Sequence, residues 1–290
     1  MTLDLADTSA PVTDGRRRRR ADRTGLRLGG ASGLSLGLVT TWLSIVVLIP
    51  LIAVVGKAFG RGWDGFTAAV TQREARSALT LTIELALAVA IVNAVAGTTV
   101  AWVLVRDRFR GKGLFEVVID IPFALPTIVT GLVAIALYGP GSPIGLNLQQ
   151  TRLGLFAVLL FVTLPFTVRT VQPVLLDLDR DAEQAAASLG ASGPAVFKRI
   201  VLPQILPAVA SGAALSFARA LGEYGSLVFL SSNIPNKTEI ASSLIYGKLQ
   251  ANDNPALETQ QAAALATILL VASAVVLIVL DLLQRRIARR

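Results

Sequence analysis

Apolar residues run through this chain in long blocks, separated by short polar stretches. A helix rises 1.5 Å per residue, so about 20 apolar residues cross the ~30 Å hydrocarbon core of a bilayer. Runs near that length recur six times, at roughly residues 36–56, 78–105, 117–138, 153–174, 206–230 and 260–283. The pattern predicts an all-α membrane protein with six transmembrane helices in one domain, residues 36–283, because an open sheet would leave unpaired backbone groups in lipid. The second run is longer than needed and is expected to tilt or to extend past the hydrocarbon. Residues 1–35 are polar and Gly-rich, which predicts a disordered basic tail, and residues 284–290 form a second basic tail. An arginine run ahead of an apolar segment also suits a cleaved signal peptide. Here the segment is long, leads into five further runs and ends in Val-Gly-Lys-Ala-Phe-Gly rather than a convincing small-residue cleavage site, so an uncleaved first span is expected.

One polar interruption differs from a simple connection. Asp181–Pro207 reads DAEQAAASLGASGPAVFKRIVLPQILP, two short helices joined by a tight turn. Asp179 or Asp181 can cap the first helix, and Ala185, Ala186, Ala187 and Leu189 carry it. Gly190 then supplies a left-handed residue at little steric cost. Ser192 and Pro194 start the second helix, since proline in the first turn loses no N–H partner. Lys198 and Arg199 suit its last turn, and Pro203 is expected to stop it. A mere connection needs no such hairpin. A compact helical hairpin at the membrane surface, about residues 177–207, is expected to be gripped by a second protein.

Composition strengthens the membrane reading. The chain is 53% hydrophobic and 16% charged with mean hydropathy +0.64, against about 45–50% apolar and about 25% charged in soluble domains. A net charge of +8 invites a nucleic-acid partner, but the distribution argues against one. Arg16 to Arg20, Arg23 and Arg27 precede the first run, and Arg106, Arg108, Arg110 and Lys112 follow the second. Arg180, Lys198 and Arg199 lie in the hairpin, and Arg285, Arg286, Arg289 and Arg290 follow the sixth run. The other side holds only Lys57, Arg61, Arg73, Arg76, Arg152, Lys237 and Lys248. The positive-inside rule therefore predicts cytoplasmic termini and a cytoplasmic hairpin. Basic clusters beside spans attract anionic lipid, so membrane lipid is the expected partner of these charges.

Absences narrow the chemistry. With no His and no Cys there is no serine–histidine dyad, no HExxH zinc site, no thiol nucleophile and no disulfide. No GxxxxGK[ST] loop occurs, and Arg110-Gly111-Lys112-Gly113 lacks both the upstream glycine and the Ser/Thr. No catalytic residue, metal or cofactor is expected, and any ATP that drives transport must bind a partner.

Polar residues inside the apolar runs are the remaining candidates. Arg219 and Glu223 are four apart, hence within pairing reach on a helix, and Gly222 and Gly225 permit close backbone approach. Ionisable groups at membrane depth cost roughly 2.5–3.5 kcal/mol each and normally face protein or water. The pair is either a polar strip on a conduction pathway, just after the hairpin that would deliver movement, or a self-neutralising structural contact. Pro122 and Pro126 are expected to break the third run, either lining a cavity or serving packing. Asn93, Thr98 and Thr99 line a polar path or bond between helices. Glu84 and Asp120 read as interfacial, with no assigned role.

The hairpin resembles the cytoplasmic "EAA" loop of bacterial ABC-importer permeases: Glu-Ala-Ala, three residues, Gly, nine residues, Ile, one residue, Leu-Pro. Ala185, Ala186, Gly190, Ile200, Leu202 and Pro203 match that spacing, while Gln184 stands in place of Glu and Glu183 lies one residue early, about 100° around the helix. The stretch Arg219-Ala220-Leu221-Gly222-Glu223-Tyr224-Gly225 is similar to the signature of permeases for tetrahedral oxyanions, with Tyr224 replacing Phe. Ala101–Arg106, Asp120–Thr127 and Lys237–Ile240 look like the T-type sulfate/thiosulfate permease subunit. The resemblance covers roughly residues 38–283. It implies a type I importer permease in a bacterial cell membrane, coupled through the hairpin to a cytoplasmic ATPase dimer. It also implies pairing with a W-type permease and an extracytoplasmic sulfate/thiosulfate-binding protein. A molybdate or tungstate permease is the same machine for another dianion. An ion-coupled secondary transporter with Arg219 and Glu223 as coupling pair would leave the hairpin unexplained.

Overall fold

The computed structural model describes residues 30–287. The tail at residues 1–29, with its cluster Arg16–Arg20, Arg23 and Arg27, lies outside the described residues, as do residues 288–290. The described residues form helices joined by loops, with no strand among them. The chain divides after Pro50 into two units. The first contributes residues 30–50 of helix α1 (Gly30–Ala58), where Thr40 Oγ1 donates back to Leu36 O at 2.8 Å. The second carries everything from Leu51 onward.

Five helical stretches are long and apolar enough to cross a bilayer. They are α1, α3 (Arg73–Arg106), α6 (Arg152–Asp177), the continuous stretch Gly193–Leu221, and α12 (Pro255–Ile287). Between α1 and α3 lies the short α2 (Gly62–Thr71). The third apolar run is split into α4 (Lys112–Ala124) and α5 (Thr127–Tyr138), bent by 116°. Counted as one span, the bent pair is the sixth. Its contacts support that count. Just past the middle of α6, Phe123 meets Phe166 edge-on at 5.0 Å and Asp120 meets Arg169. Near its start, Tyr138 O accepts the N–H groups of Leu148 and Gln149, which lead into α6. The broken pair thus follows α6 from beyond its middle back to its start.

Two expectations about proline change here. Pro126 makes the break: Leu125 before it is extended (φ −80°, ψ 130°), the conformation that a following proline ring imposes. Pro122 stays inside α4 and does not interrupt it. Pro203 does not stop the hairpin's second helix either. A short α8 (Gly193–Val196) passes through a π-helical turn, Phe197–Val201, straight into α9 (Leu202–Leu221). The wider turn puts the Leu202 N–H on Phe197 O, five residues back. It shifts the ladder before Pro203, which then sits in the first turn of α9, where a missing N–H is tolerated. The fifth span also ends early, at Leu221 rather than near residue 230. Gly222 caps it, and the chain turns before a short α10 (Val228–Ser231) and α11 (Ala241–Gln250).

The core lies where α3, α6 and α9 meet. Val89, Leu155, Phe217 and Leu230 fill one end, and Leu104, Val168, Val171 and Ile205 the other. At mid-height the helices approach to backbone distance. A Cβ on Gly97 or on Gly212 would lie 2.7 Å from Thr167 atoms. Asn93 Nδ2 donates to Thr163 Oγ1 at 2.7 Å, and Ser216 Oγ donates to Thr163 O at 3.0 Å. Of the two openings left by the sequence, Asn93 therefore takes the helix-to-helix one. Thr98 and Thr99 bond back to Ala94 O and Val95 O within α3.

Candidate functional site

The hairpin is built by local chemistry. Asp179 Oδ1 accepts the Asp181 N–H at 2.9 Å and caps α7 (Arg180–Ser188). At the other end, Gly190 adopts φ +85°, its N–H reaches Ala187 O at 2.9 Å, and the Ala191 N–H reaches Ala186 O at 3.0 Å. That is a Schellman closure, which needs a left-handed residue at this position. Ser192 is extended and Pro194 opens α8, as the sequence predicts.

The two arms differ in what they leave open. Gln184, Ala185 and Gly190 are exposed, Ala186 is partly covered, and Leu189 is 90% exposed. Ile200 and Leu202 are half-buried and Pro203 is exposed. Glu183 turns the other way, into an ion pair with Arg106 at the end of α3. A cleft of about 370 Å³ lies between the two arms, lined by Glu183, Gln184, Ala187, Val196 and Phe197 together with Trp102 of α3.

The second candidate group gathers around two chain breaks. Arg219 and Glu223 form an ion pair, with Glu223 only 1% exposed and Arg219 30%. Glu223 Oε1 also accepts the Ser226 N–H at 3.0 Å, and its carbonyl accepts the Ser242 hydroxyl at 2.7 Å. The residues after Gly222 pack on the start of α5. A Cβ on Gly225 would lie 2.4 Å from Thr127 Oγ1, and one on Gly131 2.8 Å from Gly225 O. The break at Pro126 and the break at Gly222–Glu223 therefore touch, while Pro122 remains back in α4. This assembly lies at the far end of α9 from the hairpin, not just after it. The 20 residues of α9 put about 30 Å between them.

Sequence reasoning missed Arg169. Its Nε donates to Asp120 Oδ1 at 2.9 Å, its Nη2 meets Asp120 Oδ2, and its Nη1 donates to Gln172 Oε1 at 2.8 Å. The bidentate pair ties α4 to α6 and is half-exposed. A lone ionisable residue inside an apolar run was the available signal.

Residues 93–290 match the family described as the binding-protein-dependent transport system inner membrane component. The chain is 41% identical over 251 residues to the sulfate transport system permease protein CysT of Synechocystis sp., covering 84% of this chain and 86% of that one. It is 39% identical over 264 residues to the CysT protein of Salmonella typhimurium, covering 89% and 94%. Among solved structures it is similar to a chain of a bacterial alginate ABC transporter, with TM-score 0.71 at 16% identity over 88% of this chain and 94% of that one. A chain of the MetNI methionine ABC transporter gives TM-score 0.53 at 15% identity over 72% and 96%. At such identities the structural likeness speaks for the fold alone.

Proposed function

Since this multi-pass chain belongs to the binding-protein-dependent transport system inner membrane components, we propose that it is the T-type permease of an ATP-driven sulfate and thiosulfate importer. The observation that carries this reading is the 41% identity to a sulfate permease across 84% of the chain. With a W-type permease it forms the pathway. A cytoplasmic ATPase dimer hydrolyses the ATP, and an extracytoplasmic binding protein delivers the anion. Both termini and the hairpin face the cytoplasm, in line with the distribution of arginine and lysine.

The coupling surface is the hairpin: Gln184, Ala185, Ala186 and Gly190 on its first arm and turn, with Ile200, Leu202 and Pro203 behind the second. The uncovered Leu189 supplies apolar area for the ATPase to bury. Closure of the ATPases moves the hairpin, and α9, continuous with its second arm, carries that motion to the paired breaks at Pro126 and Gly222–Glu223. Those breaks, with Arg219 and with Pro122 just before them in α4, form the gate. Two global states biased differently by ATP and by the anion give alternating access. No bond in the anion is made or broken.

Uptake of labelled sulfate, thiosulfate and molybdate in cells lacking this chain tests the reading. We expect sulfate and thiosulfate uptake to fall to background and to return on complementation. A defect confined to molybdate would replace the substrate, and uptake that follows an ion gradient without the ATPase would replace the class.

A further inference from the structure

Each arm of the hairpin is fastened to a different helix. The second arm runs through the π turn into α9. The first arm, α7, is fastened to α3 by Glu183 and Arg106, whose side chains are 19% and 12% exposed. Arg106 also lies over an aromatic ring: its guanidinium carbon is 5.1 Å from the Trp102 ring centroid, and Trp102 meets Phe197 edge-on at 5.3 Å. One cluster thus joins α7, α3 and the π turn. An ion pair this enclosed is far less screened than a surface pair, and the aromatic face adds a further attraction to the guanidinium.

The far end of α3 is fastened too. Its 34 residues span about 50 Å. Near its start, Thr82 Oγ1 accepts the Ala241 N–H at 2.9 Å, and Ala75, Ala78 and Leu79 pack on Ala241 and Leu244 of α11. Next along α11, Ser242 holds the carbonyl of Glu223. A contiguous path of rigid helix and short bonds therefore leads from Glu183 to the break at Glu223.

Resting on the importer reading above, we propose that Arg106 and Glu183, braced by Trp102, act as a strap that makes α3 move with the hairpin, a second drive to the gate beside α9. Glu183 is a positioning residue here. Its carboxylate, one residue before the family's Glu position, serves an internal joint and does not dock the ATPase. Loss of the strap leaves α3 driven only through its packing on α6 and α9, so ATP is spent with less anion moved.

The test uses the whole importer in proteoliposomes, reading sulfate imported per ATP hydrolysed. We expect Glu183→Ala to lower that ratio about tenfold, within the range by which linked sites influence each other, with the ATPase still co-purifying. The chain has no cysteine, so Arg106→Cys with Glu183→Cys can be joined by a short bismaleimide. The unlinked double variant should be uncoupled, and linking should restore the ratio, which a purely folding role would not predict. A ratio within about twofold of the parent in Glu183→Ala overturns the strap. So does loss of the ATPase on purification, which would make Glu183 a docking contact, and so does a linked form that stays uncoupled. Absence of sulfate uptake by the parent complex would refute the sulfate assignment instead, and the ratio is then read with the anion the parent does carry.

Discussion

One carboxylate oxygen of Glu223 takes the Ser226 N–H, the other meets the Arg219 guanidinium, and its carbonyl holds Ser242. The side chain therefore closes the turn after α9 and neutralises a charge in the same act. Removing one partner of a buried pair costs about 3–5 kcal/mol, much of it for the stranded charge. Glu223→Gln and Arg219→Gln should each lower both abundance and uptake. The double variant strands no charge, so abundance should partly recover while uptake stays poor. Immunoblotting with labelled-sulfate uptake on all three variants checks this, and full recovery of uptake would reduce the pair to a structural contact. Glu239, before α11, makes a different prediction. Burial pushes its carboxyl above the ordinary 4.5, Glu74 adds to the rise, and Lys248 opposes it. The fold thus favours the protonated form, so stability is greatest below the ordinary value and declines as pH rises through the displaced one. Glu239→Gln should match the parent in melting temperature at pH 4 and exceed it at pH 7, as thermal scans of purified protein would record.

At the scale of elements, the hairpin rests on Gly190. Space around it is open, so only its φ of +85° forbids a side chain. Gly190→Val forces a β-branched residue into the left-handed region at about 1–3 kcal/mol, and relief of that strain turns α8 away from α7. We expect the variant to insert in the membrane but to lose ATPase co-purification and transport. Gln184→Glu, on the exposed face, should keep both. The hairpin was legible because caps and a turn glycine act on immediate neighbours. The end of α9 was not, since Val228, Phe229 and Leu230 keep the sequence apolar beyond the helix, and composition cannot register a break made by a glycine and a carboxylate. Pro203 misled for the opposite reason: the π turn that accommodates it depends on the hydrogen-bond register, which no single residue announces. Arg169 escaped because it belongs to no cluster of charges, its nearest ionisable neighbours in sequence being Arg152 and Asp177.

For the whole molecule, orientation is the decisive quantity. Ser192 and Ser232 lie beyond opposite ends of α9, Ser232 accepting from Gln150 at 3.2 Å beside the start of α6. Ser192→Cys should react with a membrane-impermeant maleimide only in inverted vesicles, and Ser232→Cys only in intact spheroplasts. Reversed labelling would put the hairpin on the side without ATP. The bend at Pro126 carries one further consequence, for the life of the chain before assembly. The first turn of α5 has no side-chain cap, and residues 126–129 are exposed. The N–H groups of Thr127, Ile128 and Val129 have no partner within the helix, and in hydrocarbon each would cost several kcal/mol. At that depth only protein or trapped water can satisfy them. On the proposed pairing, this subunit made without its partner permease should be degraded faster than in the complete importer, as a pulse-chase would show.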